Sequence, residues 1–293
     1  MIIYLILCIV LTTSVFVIFK LFAKFQVNTF QAIVANYFTA CGMGLLLAED
    51  YPTVDHIVSS DWFVHGVWIG FLFILFFQVM ALGSQKIGVS VTTASNKMAI
   101  IIPVIFGILY YGDSYVWYKL LGVALALYSV YLMTKVERND LSSAGNLKWI
   151  LPLILFFGGG FLDTTLDFIQ RNYVPVNESS WFTTIIFITS GIFGLAYLLF
   201  QLITGKARLE RKSILAGFLL GIPNYGSIYC LVKTIGSGLL DVSVLFPVLN
   251  IGGVVLASVI GTFVFKEPFK RINWIGVGIA VVSIALIILE QII

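Results

Sequence analysis

Ile279-Ala280-Val281-Val282-Ser283-Ile284-Ala285-Leu286-Ile287-Ile288-Leu289 is apolar on every side of any helix it forms, with a single hydroxyl in eleven residues. A strand of a transmembrane β-barrel would alternate apolar and polar positions over about ten residues. This stretch does not alternate, so it reads as a helix. A helix apolar all round is buried either in a large protein core or in a membrane, and the composition of the whole chain decides which. Of 293 residues, 60% are hydrophobic and 11% charged, with a mean hydropathy of +1.04. Soluble domains are about 45–50% apolar. Seventeen Lys and Arg with fourteen Asp and Glu cannot cover a water-facing surface around such a core. The expected solvent is lipid.

Working outward, similar runs occupy about Ile2 to Phe19, Phe30 to Ala48, Trp62 to Leu82, Val89 to Tyr110, Trp117 to Thr134, Leu147 to Ile169, Trp181 to Leu202, Ile214 to Thr234, Leu240 to Phe265 and Ile272 to Leu289. A spanning helix needs roughly 20 residues. Ten crossings therefore fit, with no room for a soluble domain. The expected fold is an all-α integral membrane protein of ten transmembrane helices. The first run lacks a basic segment ahead of it and a small-residue cleavage site after it, so it is expected to remain as a helix and not to act as a signal peptide. Cys8, Cys41 and Cys230 lie inside apolar runs and are expected to behave as small hydrophobes.

The scarce charges set an orientation. Alternate connections carry Lys20 and Lys24; Lys86; Lys135, Arg138 and Lys148; Lys206, Arg208, Arg211 and Lys212; and Lys266, Lys270 and Arg271, which is thirteen of the seventeen cations. Lys and Arg in short loops mark the cytoplasmic side. Both termini are then expected outside a cytoplasmic (inner) membrane. The other side holds Lys119, Arg171 and Lys233 with the acidic residues Glu49, Asp50, Asp55 and Asp61. No cluster resembles a nucleic-acid patch.

The two halves repeat. An offset of 154 brings Asn96 onto Asn250, Gly107 onto Gly261, Asp113 onto Glu267, Gly122 onto Gly276, Ala126 onto Ala280 and Ser129 onto Ser283. An offset of 149 matches Asn28 with Asn177, Phe38 with Phe187 and Gly42 with Gly191, and one of 147 matches Gly70-Phe71-Leu72 and Lys86 with Gly217-Phe218-Leu219 and Lys233. Five helices per half is an odd number, so the second half enters the membrane upside down. The expected organisation is a first five-helix repeat over 1–138 and a second, inverted one over 146–293, joined through the polar stretch 135–146. Inverted repeats give inward-open and outward-open states around a central site.

The fourth helix of each half ends in an aliphatic and aromatic run before an acidic residue, Leu109-Tyr110-Tyr111-Gly112-Asp113 and Phe263-Val264-Phe265-Lys266-Glu267, and a glycine-bearing fifth helix follows. With the ten-helix, two-half layout, this resembles EamA-type members of the drug/metabolite transporter superfamily across essentially the whole chain. Members usually carry Gly-Glu after the aliphatic run, from which Gly112-Asp113 and Lys266-Glu267 each depart at one position. The resemblance implies a secondary transporter, often an exporter of amino acids or other small metabolites.

Ionisable groups within apolar runs are the first candidates for a site, because a charge at the bilayer centre costs about 2.5–3.5 kcal/mol on insertion scales. Lys97 lies eight residues past Val89, about 12 Å deep at 1.5 Å per residue. Asp163 and Asp167 are four apart, hence on one helix face. Lys97 and Asp163 are expected to face a shared polar cavity, as a charge pair or as partners of a carboxylate-bearing solute; a structural ion pair is the alternative. Asp163 and Asp167 are candidates for ion coupling, and Asp167 also reads as a carboxylate solvated near the outer surface. Asn96 and Asn250, related by the repeat, suit either solute binding or hydrogen bonding between helices. Gly221, Pro223, Asn224, Tyr225 and Gly226 are expected to interrupt the eighth helix, either as a broken site helix or as a packed kink. Gln78 is the corresponding polar position in the other half.

The remaining motifs read as scaffold. Gly122 with Ala126 and Gly276 with Ala280 suit close helix packing. Asp113 and Glu267 sit at helix ends, and Trp62, Trp68, Trp117 and Trp149 begin apolar runs as an interfacial belt does. His56 and His65 have no second ligand nearby, so neither a metal nor another cofactor is expected, and no catalytic arrangement of Ser, His and Asp, HExxH or CxxC occurs. With no ATPase motif, the energy would come from a proton, other ion or solute gradient. The expected function is secondary active transport of a small polar metabolite. A channel, a non-transporting scaffold and an intramembrane enzyme are the competing classes.

Overall fold

The computed structural model describes residues 2–47, 51–86, 95–113, 116–134, 147–238, 240–263 and 271–292. Every regular element among them is helical. Lipid offers no hydrogen bonds to an open backbone, and a helix satisfies its own peptide groups. The helices are α1 (Ile2–Lys24), α2 (Thr29–Leu46), α3 (Val54–Ser59), α4 (Phe63–Lys86), α5 (Ile101–Phe106), α6 (Trp117–Thr134), α7 (Leu147–Asn172), α8 (Ser179–Ile203), α9 (Arg211–Gly236), α10 (Val242–Phe263) and α11 (Arg271–Ile292). Among the described residues, five stretches, in α1, α4, α7, α8 and α9, are long and apolar enough to cross a membrane. Shorter apolar helical stretches cover Ser95–Tyr111, Leu120–Ser129, Val244–Gly253 and Trp274–Ile287. The linker 135–146, Glu267 and the cations Lys135, Arg138, Lys266 and Lys270 lie outside the described residues.

The chain divides into two compact units, and each draws on both sequence halves. The first comprises 1–78 and 165–237, the second 79–164 and 238–293. The chain passes from one to the other within α4, within α7 and just after α9.

In the first unit α2 packs on α8 and α9, and α1 on α9. Val15 and Phe22 of α1, Ala32 of α2 and Leu220 of α9 form a buried cluster. The approach of α2 to α9 is close because α9 has no side chain where the helices cross. A Cβ on Gly217 would lie 2.2 Å from the Ala32 carbonyl oxygen, and one on Gly221 would lie 2.7 Å from that of Asn36. Gly70, which the repeat matches to Gly217, has the same use in α4. A Cβ there would lie 2.6 Å from the Ile186 carbonyl oxygen of α8, and Ser190 Oγ donates to the Gly70 carbonyl at 2.9 Å.

In the second unit α6 packs along α11. A Cβ on Gly122 would lie 3.2 Å from the Ser283 carbonyl oxygen, and Ser283 Oγ donates to the Gly122 carbonyl at 2.7 Å. Gly160 of α7 accommodates Ile102 of α5 in the same way. The aliphatic run after α5 closes as a π-helical turn, Gly107–Tyr111, terminated by Gly112 at φ 73. Only glycine adopts that left-handed conformation at no steric cost.

Three expectations are corrected. The eighth apolar run is not broken: α9 continues through Pro223, and Gly221 serves close packing. Trp62 does not belong to an interfacial belt, since it is 1% exposed and its Nε1 donates to a Glu178 carboxylate oxygen; Trp68 and Trp117 are exposed, and the side chain of Trp149 lies outside the described residues. Asp167 is not solvated but fully buried, with Arg171 Nε donating to its Oδ1 at 2.9 Å one turn away.

The segment ahead of α4 folds into the short helix α3, capped by Thr53 Oγ1, which accepts from the His56 amide at 3.3 Å. His56 Nε2 lies 3.3 Å from Glu178 Oε1, so Glu178 ties both α3 and Trp62 to the start of α8. We expect Glu178→Ala to free this strap: limited proteolysis within 51–61 should speed up several-fold, with a melting loss of about 1–3 kcal/mol for the stranded indole N–H. An unchanged cleavage rate would mean that apolar packing alone holds the segment.

Candidate functional site

The residues singled out in the sequence fall into two groups, one in each unit. Lys97, Asn96, Asn250 and Asp163 belong to the second unit; Asn224, Tyr225, Gln78 and Asp167 belong to the first.

In the second unit, Lys97 sits in a helical turn just ahead of α5 and is 6% exposed. Its Nζ donates to Asn250 Oδ1 of α10 at 2.8 Å, across 153 residues of sequence. Asp163 of α7 lies within electrostatic reach of the Lys97 ammonium. The helix segments after Lys97 and around Asn250 pack against one another, which is why the two polar groups meet. Asn96, the repeat partner of Asn250, is half-buried beside Lys97. The repeat relates Lys97 to Ile251, so the cation is present in one half only and the site is asymmetric.

A buried ammonium is strongly hydrated in water and loses that hydration here. A hydrogen bond to a charged group recovers about 1.5–3 kcal/mol, and Asp163 adds attraction in a medium of low effective dielectric. The carboxamide can be displaced without leaving an ion behind, because it is neutral. A solute carboxylate would offer the ammonium a stronger, charge-assisted bond than a carboxamide does. The arrangement therefore suits reversible capture of an anionic group.

In the first unit, Asn224 Nδ2 donates to Asn36 Oδ1 at 3.0 Å, joining α9 to α2. Asn36 Nδ2 in turn donates to the Ile33 carbonyl at 3.4 Å, and Ser227 Oγ to the Asn224 carbonyl at 2.9 Å. The Asn224 side chain thus bridges two helices and does not restore the hydrogen bond that Pro223 removes. Tyr225 is fully buried, 5.8 Å from the Phe187 ring, which Tyr37 of α2 also meets at 6.1 Å. Gln78 is half-buried near the end of this unit, in α4. Asp167 is held by Arg171 within α7, which makes it a local ion pair in the described geometry.

Asn36 escaped the sequence reading. The repeat offset places it on Ile185, so the comparison of halves gave no signal. An amide inside an apolar run was the available sign. We expect Asn36→Ala and Asn224→Ala to couple in a double-mutant cycle by about 0.6–1.7 kcal/mol, the range for interhelical hydrogen bonds in membranes. Unfolding in mild detergent would measure it, and strictly additive losses would show that the pair contributes packing only.

These features define an all-helical protein with several membrane-length apolar helices and a buried cation–carboxamide contact. No protein-family model matches the chain. It is 26% identical over 279 residues to a protein of Haemophilus influenzae described only as uncharacterized, covering 93% of each chain. A solved structure described only as the crystal structure of a protein superposes with a TM-score of 0.76 at 14% identity, over 98% of this chain and 96% of that one. That likeness concerns the fold.

Proposed function

We propose that this chain is a secondary active transporter of the EamA type, resident in the cytoplasmic membrane with both termini outside. Its cargo is a small polar metabolite bearing a carboxylate, such as an amino acid, and its direction is export. The observation that carries this reading is the Lys97 ammonium, buried at 6% exposure and bonded to a neutral side chain at 2.8 Å. Buried charges in membrane segments are costly and mark transport pathways.

The internal repeat supports the same reading. Helices that the repeat makes equivalent lie against each other, α2 with α8 and α6 with α11. The residues read here as the last two crossings of each half belong to one compact unit, and most of those read as the first three belong to the other. Two inverted halves interleaved in this way provide two conformations of similar energy, as alternating access requires. Ten crossings, five per half, follow from this reading.

Reconstitution tests it. A thermal-shift screen of amino acids, sugars and nucleosides on the purified protein identifies a ligand, and flux of that ligand is then measured in proteoliposomes with and without a pH gradient. Saturable flux that responds to a gradient is expected. Flux that rises linearly with concentration would mark a channel, no flux a scaffold, and chemical conversion of the ligand an enzyme.

A further inference from the structure

Apart from the Lys97 site of the second unit, one end of the first unit carries a cluster of cations. Lys24 ends α1, Lys206 and Arg208 lie in the connection after α8, and Arg211 and Lys212 begin α9. The connections are tied into one surface. Lys212 Nζ donates to the Phe25 carbonyl, which fastens the start of α9 to the end of α1. Gln31 of α2 clamps the connection from both sides, its Nε2 donating to the Arg208 carbonyl at 2.6 Å and its Oε1 accepting from the Glu210 amide at 2.9 Å. Asn28 adds a third tie, its backbone N–H donating to Ser213 Oγ at 2.8 Å. The backbone that carries these cations is thus tied down by the fold.

Opposing charge at this end is small. Glu210 is the single acidic residue there among the described residues, and one of its carboxylate oxygens accepts from Ser213 Oγ at 2.8 Å. Five cations therefore face one carboxylate. Large apolar side chains stand beside them: Ile203 is 84% exposed, Leu209 59%, and Phe25 and Phe200 are also exposed. Lys24 Nζ lies 5.8 Å from the Phe25 ring centre and Lys206 Nζ 5.8 Å from that of Phe200, so cation and apolar surface are adjacent.

We propose that this surface binds the phosphate headgroups of anionic phospholipids. A soluble anion would satisfy the cations but leave the apolar side chains in water. A leaflet satisfies both, because basic groups beside exposed aromatic and aliphatic residues match the boundary between headgroup and acyl chain. The inference does not depend on what, if anything, the chain transports.

The test uses the full-length protein purified in a neutral detergent. It is titrated with phosphatidylglycerol, phosphatidylcholine or inorganic phosphate, and binding is read by thermal shift and by lipid retained in native mass spectrometry. Phosphatidylglycerol is expected to act at about tenfold lower concentration than phosphatidylcholine, and 0.5 M salt should remove most of that preference, since the screening length there is only about 4 Å. The variant carrying Lys24→Gln, Arg208→Gln, Arg211→Gln and Lys212→Gln should lose the preference, whereas Arg208→Lys with Arg211→Lys should keep it. Equal action of the two lipids, a preference that survives neutralisation, or a preference insensitive to salt would overturn the proposal. Inorganic phosphate reproducing the shift at equal concentration would overturn it in favour of a soluble-anion site. If the neutralised variant does not fold, the salt series on the unaltered protein decides.

Discussion

Under the proposed transport role, replacing Lys97 by Met is expected to reduce saturable flux by at least about tenfold while leaving the folded protein about as stable as before. The two effects have different origins. Flux falls because a methionine has no charge to offer a carboxylate; loss of a charge-assisted bond worth about 1.4–3 kcal/mol in the transport transition is a tenfold to hundredfold reduction. Stability does not fall in parallel because the buried ammonium, 6% exposed, is itself costly to desolvate, and relief of that cost offsets the lost bond to Asn250 and the lost attraction to Asp163. Asn250→Leu should behave in the opposite manner. It takes away the carboxamide at 2.8 Å and leaves a buried cation with one bond fewer. Its expected loss is about 1.5–3 kcal/mol. Melting temperature and initial flux rate, measured on both variants in the same lipid, check the pair. A lysine needed only for folding would give the reverse order, with Lys97→Met the less stable of the two.

The second large effect is mechanical. Gly217→Val would place a Cβ 2.2 Å from the Ala32 carbonyl oxygen and 2.7 Å from the Ala35 Cβ. Neither obstacle is a flexible side chain. The backbones of α2 and α9 must separate by more than an ångström, and the buried contacts along both helices are lost together. Overpacking of a core costs typically about 1–3 kcal/mol and more where backbone must move, so a loss above about 3 kcal/mol or failure to accumulate in the membrane is expected. Gly70→Val should act alike, since its Cβ would lie 2.6 Å from the Ile186 carbonyl oxygen. Gly42→Ala provides the contrast. Nothing lies within 4 Å of its added Cβ, and alanine is the better helix former by about 1 kcal/mol, so no loss is expected. If Gly217→Val melted with Gly42→Ala, the close approach of α2 and α9 would not be a source of stability.

Most of the helical architecture was legible because the signal is simple. Long apolar runs in a chain with 11% charged residues leave lipid as the solvent and helix as the backbone conformation. The paired glycines Gly70 and Gly217 were also visible, as matches between halves, and their packing use agrees with their size. The interior polar groups were visible only one at a time. Lys97 stood out as a buried cation and Asn250 as the repeat partner of Asn96, yet nothing in the sequence joined Lys97 to Asn250. Pro223 suggested a broken helix because proline removes a donor, but α9 tolerates it. Trp62 suggested an interface because it begins an apolar run, but Glu178, more than a hundred residues later, gives its indole a partner and allows it to be buried.

The sequence by itself determined the solvent, the helical class and the presence of a few expensive polar groups within apolar runs. Which of those groups meet was decided by tertiary structure alone. The reason is that a helix such as 279–289, apolar on every side, carries no periodic pattern to say which face lies against protein and which against lipid. Facing is then set by shape, through the glycines that let α2 approach α9 and α6 approach α11. Those approaches bring Asn224 to Asn36 across 188 residues, and the packing of α10 near α5 brings Lys97 to Asn250 across 153.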